Sequence, residues 1–311
     1  GLAVEGCFGG VPFPIPKNGN EVVWNAQLHY KGESNITKGE GWYVDSKGSR
    51  VLTGGINNRG DAQYYNKELD VEKFSSIGTY LTQLNIYTAP SRNVGEGNLQ
   101  RFYVNPVATP NPTWAYSPGQ RRVRRSPDAE YDFPVSTSGG AMLYDEIYGF
   151  SGKQDRYDFK YLGKKEMIIP YNNYDWMQTS PDDLLKPNHP NPDATRWELH
   201  RVHVVEATLK PGMRHVQPKR RLYYDEDILA AGMTDAWDAS GKLAKGVYMP
   251  SYQMYDKQIP HTSSTWLFDF ATGVYYHSSI TGGARGGIFP QPKMQPPQFF
   301  APESLARQSQ R

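Results

Sequence analysis

The densest group of chemically capable side chains in this 311-residue sequence is Arg121-Arg122-Val123-Arg124-Arg125. On a strand, alternation places Arg121, Val123 and Arg125 on one face and Arg122 and Arg124 on the other. Four guanidiniums in five residues suit an anionic head group, an acidic partner surface or a dibasic protease site. The same charges also suit an exposed sheet edge, where they discourage pairing with another chain. A polynucleotide is not the expected partner. No basic–aromatic platform accompanies the run, and 34 basic against 32 acidic residues leave a net charge of only +2.

His200 and His203 look like a ligand pair, but on a strand an i, i+3 pair points to opposite faces and cannot grip one ion. Asp225-Glu226-Asp227 lacks the spaced oxygens of a calcium loop and reads as a solvated turn. Asp182-Asp183 reads as the start of a short helix. Cys7 is the sole cysteine, which excludes an internal disulfide framework and a thiolate cluster. The sequence contains no Gly-x-Ser-x-Gly elbow, phosphate loop, dinucleotide fingerprint or His-Glu-x-x-His motif. Gly282–Gly287 does not open a helix after a strand and reads as a flexible connection. The expectation is therefore a protein that is not an enzyme, with no catalytic residue, cofactor or metal.

The elements that must carry these residues are mostly strands. Mean hydropathy is −0.69, low for a tightly packed α/β enzyme, and 22 Tyr, 7 Trp and 12 Phe supply the buried area typical of β proteins. The 30 Gly and 24 Pro imply many turns. Arg220–Tyr248 reads as a β-meander: an aromatic strand with Tyr223 and Tyr224, a second strand over Ile228–Trp237, a turn at Asp238-Ala239-Ser240-Gly241, and a third strand from Lys242. The same Asp-to-Gly turn logic predicts a hairpin over Gly41–Thr53, and a last hairpin pairs Trp266–Phe270 with Val274–His277. Strands are also expected at Gln100–Val104, Trp114–Tyr116 with Gln120–Arg125, on both sides of Gly163, and over Trp197–Leu209. Glu21–Tyr30 has helical spacing with Asn20 as its cap, and a short helix fits Asp182–Leu185. Phe74–Tyr87 fits helix or strand, and residues 54–70 read as turn-rich.

Three regions follow. Residues 1–19 are an extended Gly/Pro-rich segment anchored by Phe13 and Ile15. Residues 20–287 form the β domain, and 288–311 are a Pro-rich tail pinned by Phe299 and Phe300. No run of about 18 apolar residues occurs. The opening Gly1-Leu2-Ala3-Val4 suggests a processed or truncated product. Scarcity of cysteine fits cytoplasm and periplasm equally.

Several segments together resemble one family: VPFPIPKNGNEVVWNAQLHYKG (11–32), WAYSPGQRRVRRSPDAEYDFP (114–134), DRYDFKYLGKKEMIIPYNNY (155–174), RWELHRVHVVEATLKPGMRH (196–215) and the Arg220 meander. With these the chain resembles the bacterial domain-of-unknown-function 1329 family, whose members are often labelled outer-membrane lipoprotein-sorting proteins. The resemblance implies a LolA-like incomplete β-barrel, a curved antiparallel sheet wrapped over helices with an apolar cavity between. It further implies a Gram-negative periplasmic location. Partners would be an RND-type (MmpL-like) inner-membrane transporter and a companion outer-membrane protein. It carries over no catalytic residue.

The expected function is a carrier that accepts a lipid or other hydrophobic molecule on an apolar concave wall. Wall candidates are Trp114, Tyr116, Phe159, Tyr161, Trp197, Leu199, Tyr223 and Trp266; Arg121, Arg122, Arg124 and Arg125 are candidates for head-group or partner contact. The rival is a structural adaptor of a transporter assembly that binds no ligand. Which of Tyr223 and Tyr224 faces the hollow depends on register, since a one-residue slip exchanges them.

Overall fold

Three aspartates set the hairpins. Asp45, Asp238 and Asp269 each accept backbone N–H groups two and three or four residues on, at 2.8–3.0 Å, so each loop folds locally before its strands have to meet. A computed structural model describes residues 2–127, 129–262, 265–281 and 286–309. The strands are β1 (Ser34–Val44), β2 (Arg50–Asp61), β3 (Thr79–Ala89), β4 (Gly97–Tyr103), β5 (Thr113–Ser117), β6 (Arg122–Arg125), β7 (Tyr157–Pro170) and β8 (Trp197–Leu209). There follow β9 (Lys219–Asp225), β10 (Gly232–Trp237), β11 (Leu243–Met249), β12 (Ser251–Met254), β13 (Ile259–Thr262), β14 (Trp266–Asp269), β15 (Val274–Ile280) and β16 (Gly287–Pro290).

All but β12 and β13, which pair with each other, join one antiparallel sheet in the order β6-β5-β4-β3-β2-β1-β15-β14-β11-β10-β9-β8-β7. β1 is the hinge of this order. Its last residues pair with β15, its first residues pair with β16, and β2 runs along its other side. The sheet is curved and does not close, so β6 and β7 are its edges. This is the incomplete barrel expected from the sequence.

The inner face is covered by helix α1 (Gly19–Gln27) and by the irregular segment between β6 and β7. Asn18, not Asn20, caps α1: its side chain accepts from Glu21 N at 3.0 Å while the Glu21 carboxylate accepts from Lys17 N. Val22, Val23 and Ala26 pack on Phe159, Val205, Leu222 and Tyr224. The contact is close enough that a Cβ on Gly19 would lie 2.6 Å from the Phe159 carbonyl oxygen. Tyr224 therefore faces inward, and Tyr223 packs outward with Ile169, Tyr171 and Val204.

Several expectations need correction. Residues 54–61 are strand rather than turn, part of β2, with Ile56 and Asn58 lining a hollow described below. The 74–87 stretch is both elements in succession, helix α2 (Val71–Ile77) and then β3. β10 starts at Gly232 rather than Ile228, since Asp225 N–H bonds the Ala231 carbonyl and closes a longer loop. Gly232 sits at φ +137, a conformation that L side chains rarely adopt, with the Tyr223 carbonyl against the space a Cβ would need. Gly163, at φ +88, is a bulge within the single strand β7.

Phe13 packs against the cluster around Trp24, Tyr64 and Phe74, but Ile15 is 85% exposed and anchors nothing. The C-terminal region is more ordered than a tail. β16 joins the sheet, and helix α5 (Pro302–Ser309) lays Leu305, with Phe300, on Leu84, Leu99 and Tyr116. Short helices α3 (Tyr174–Gln178) and α4 (Pro181–Leu184) cover another part of the outer face around Trp176 and Trp266. The glycine run 282–285 lies outside the described residues.

Candidate functional site

The inner face over β1–β4 is not filled by α1. It holds a hollow of about 170 Å³ between the sheet and residues 135–148. Its floor is polar. Asn58, Asn85 and Asn98 stand side by side on β2, β3 and β4 in register. Asn58 Nδ2 donates to Asn85 Oδ1 at 2.7 Å, Asn85 Nδ2 to Asn98 Oδ1 at 2.8 Å, and Asn98 Nδ2 to the Tyr87 hydroxyl at 2.8 Å. Gln83, Gln100, Asn35 and Thr37 extend this surface. The roof is mainly apolar, with Val135, Met142, Tyr144 and Ile147. A hydrogen-bonding floor under an apolar roof suits an amphiphile better than a hydrocarbon.

The roof is held down by charge. Arg220, fully buried on the inner face of β9, bonds Asp145 Oδ1 at 2.8 Å, and His215 Nε2 lies 3.0 Å from Asp145 Oδ2. Glu146 is held by Lys245 at 3.2 Å and by Gln217. Burial alone would raise the Asp145 pKa, but the Arg220 guanidinium and the His215 contact hold it below the ordinary carboxylate value. Tyr148, at φ +54, lines the hollow, and its backbone N–H donates to Thr265 Oγ1.

Lys31 lies 5.4 Å from the Tyr148 ring centroid and lines the hollow with His261. Burial lowers the Lys31 pKa to about 8. Burial, with Lys31 close by, lowers His29 and His261 to about 3, so both imidazoles are neutral at pH 7. Among the described residues Lys31 has no carboxylate partner.

The eight expected wall residues are not brought together, and none lines this hollow. Trp114 and Tyr116 lie on the outer face under α5, and Trp266 packs there on Trp176. Tyr223 is also outward. Phe159 faces inward but is packed in the α1 core. Tyr161 faces inward too and bonds His203 at 2.8 Å. Trp197 and Leu199 are 41% and 66% exposed. Residue type was a poor guide because aromatics fill both faces of the sheet. Arg122, Arg124 and Arg125 are exposed on the edge strand β6, and Arg121 sits in its turn at φ +50; they are far in sheet order from β1 and do not line the hollow.

His200 and His203 do point to opposite faces: His200 stacks on Tyr171 at 3.8 Å while His203 bonds Tyr161. Asp225 is not solvated. It is fully buried, its Oδ2 accepts from Asp227 N and Ile228 N, and its Oδ1 lies 3.0 Å from His200 Nδ1. Ligand atoms of His200, Asp225 and Asp227 fall within 4.8 Å of one another, a grouping across β8 and the β9 loop that spacing along the chain could not show. Asp225 Oδ2 is held by its own turn, and Oδ1 faces the His200 ring. The asparagine row was detectable in principle, as polar residues alternating at Gln83-x-Asn85-x-Tyr87 and Asn98-x-Gln100.

The fold is thus an open, curved antiparallel sheet that leaves a small hollow over one half of its inner face. The model of the family described as "Protein of unknown function (DUF1329)" matches residues 1–306, and the chain belongs to that family. An uncharacterized protein of Pseudomonas aeruginosa is 39% identical over 269 residues, 85% of this chain and 58% of the relative, so the chain spans little more than half of that protein. The fold is shared with a crystal structure from Vibrio parahaemolyticus described as an outer membrane lipoprotein-sorting protein domain. The TM-score is 0.61 at 15% identity, covering 93% of this chain and 98% of that one. A DUF1329 family protein from Desulfovibrio piger gives a TM-score of 0.60 at 12% identity, covering 92% and 97%. No helix among the described residues is long and apolar enough to cross a membrane.

Proposed function

We propose that this protein is a periplasmic carrier that takes part of an amphiphilic lipid into the hollow over β1–β4. There it exchanges its cargo between an RND-type (MmpL-like) inner-membrane transporter and an outer-membrane companion protein. The observation that carries the reading is the pairing of an Asn/Gln floor with an apolar roof in one partly open hollow. A space of about 170 Å³ holds a polar head and only the first few methylenes, so the rest of a long chain leaves over its open side. The likeness to a lipoprotein-sorting domain supports carriage, and the compartment and partners are those the family resemblance implies.

Native mass spectrometry of the purified protein, followed by lipid extraction, tests the reading. A co-purifying amphiphile is expected. A second reading, an adaptor that packs on a transporter without cargo, draws on the filled interior beneath α1 and on the extended N-terminal segment. A protein that is reproducibly empty yet binds the transporter selects it and removes the carrier.

A further inference from the structure

We propose that the hollow, whose lining includes Lys31, His261 and Ser279, binds an anionic head group, a carboxylate or a phosphate. This rests on the carrier reading and narrows its cargo.

Lys31 has no counter-charge beside it among the described residues. Lys31 is half-buried, and a lysine drawn even partly from water is normally paired, because desolvating an ammonium without a counter-charge is costly. Lys31 instead has an aromatic ring at 5.4 Å and two neutral imidazoles nearby, and no carboxylate among the described residues bonds it. Carboxylates elsewhere on the inner face, such as Asp145 and Glu146, are already engaged by Arg220, His215, Lys245 and Gln217. The hollow is therefore short of one negative charge.

A second observation is independent of charge. His261 Nδ1 and Ser279 Oγ are buried and find no hydrogen-bond partner among the described residues, and both residues line the same hollow as Lys31. A buried unsatisfied donor or acceptor is uncommon and calls for a partner. An oxyanion supplies one. It accepts from the lysine ammonium, from the serine hydroxyl, and from His261 in the tautomer that carries its proton on Nδ1. Amide groups of Gln83 and Gln100 offer further donors along the floor. A neutral head would satisfy the two orphaned atoms but leave the ammonium uncompensated, so the site discriminates by charge.

The test is calorimetric titration of the full chain with four probes: oleate, oleoyl lysophosphatidate, oleyl alcohol and inorganic phosphate. Oleate or oleoyl lysophosphatidate should bind at least tenfold more tightly than oleyl alcohol, and whichever binds better names the anion. Lys31→Met should remove the difference, Lys31→Arg should keep most of it, and Ser279→Ala should reduce it. Removing an uncompensated charge should leave the Lys31→Met melting temperature unchanged or raised, which separates loss of binding from loss of fold. Equal affinity for oleate and oleyl alcohol in the unmodified protein overturns the anion site and leaves the carrier standing. A preference that survives Lys31→Met also overturns it. No binding of any acyl probe overturns both. Inorganic phosphate binding as tightly as oleoyl lysophosphatidate, with loss in Lys31→Met, upholds the anion site and overturns the lipid carrier.

Discussion

Asp145 is the residue on which the covering segment depends, since it ties the loop between β6 and β7 to Arg220 of β9. Both groups are buried, so neither can be re-solvated when the other is removed. Arg220→Met should lower unfolding free energy by about 3–5 kcal/mol, the usual cost of breaking a buried pair by deleting one partner. Urea denaturation at pH 7 measures it. Replacing both partners by apolar residues should cost much less, because no isolated charge remains. A double variant as unstable as the sum of the singles would show that the pair is not coupled.

At the level of elements, β6 presents an unpaired backbone edge, and its exposed arginines are what stands between that edge and another chain. The double variant Arg122→Val and Arg124→Val should aggregate at lower protein concentration, read by light scattering. Its unfolding midpoint should stay close to that of the parent, since neither arginine packs in a core. An unchanged aggregation threshold would remove the edge-protection role and return these residues to the question of partner contact.

Hairpins such as β1–β2, β10–β11 and β14–β15 were legible in the sequence because Asp45, Asp238 and Asp269 act within four residues of themselves. The hollow was not. Its floor needs β2, β3 and β4 in register, and its basic lining needs residue 31 beside residue 261. Neither proximity leaves a trace in local spacing. Asn57-Asn58 lying between Gly55 and Gly60 imitates a turn, and only the sheet shows that Asn58 is a floor residue. Trp114, Tyr116, Tyr223 and Trp266 lie outward because alternation fixes which residues share a face but not which face is inside, whereas Phe159 and Tyr161 do face inward but are engaged by the α1 core and by His203.

For the whole molecule, the buried histidines make folding sensitive to acid. His29 and His261 have their pKa values lowered to about 3, mainly by burial, against 6.5 for an ordinary histidine. The unfolded chain therefore takes up protons first. The stabilisation is full above pH 6.5 and is lost progressively as pH falls from 6.5 toward 3. Below about pH 4 the depressed carboxyl of Asp145 adds to the loss. Urea midpoints should fall from pH 7.5 to pH 5, and His261→Asn should flatten that slope. A midpoint independent of pH over this range would mean that neither histidine is buried neutral.

The placement of β1 also has a consequence for synthesis. Its partner β15 is more than 230 residues later in the chain, and β16 comes later still. While the protein emerges from the ribosome, β2 to β6 can assemble on one side of β1, but its other side waits until β15 has been translated. For that interval the nascent half-sheet exposes a long open edge at what will become its centre, where β6-like arginines offer no protection. Such delayed closure favours slow folding and gives a holding chaperone a defined target.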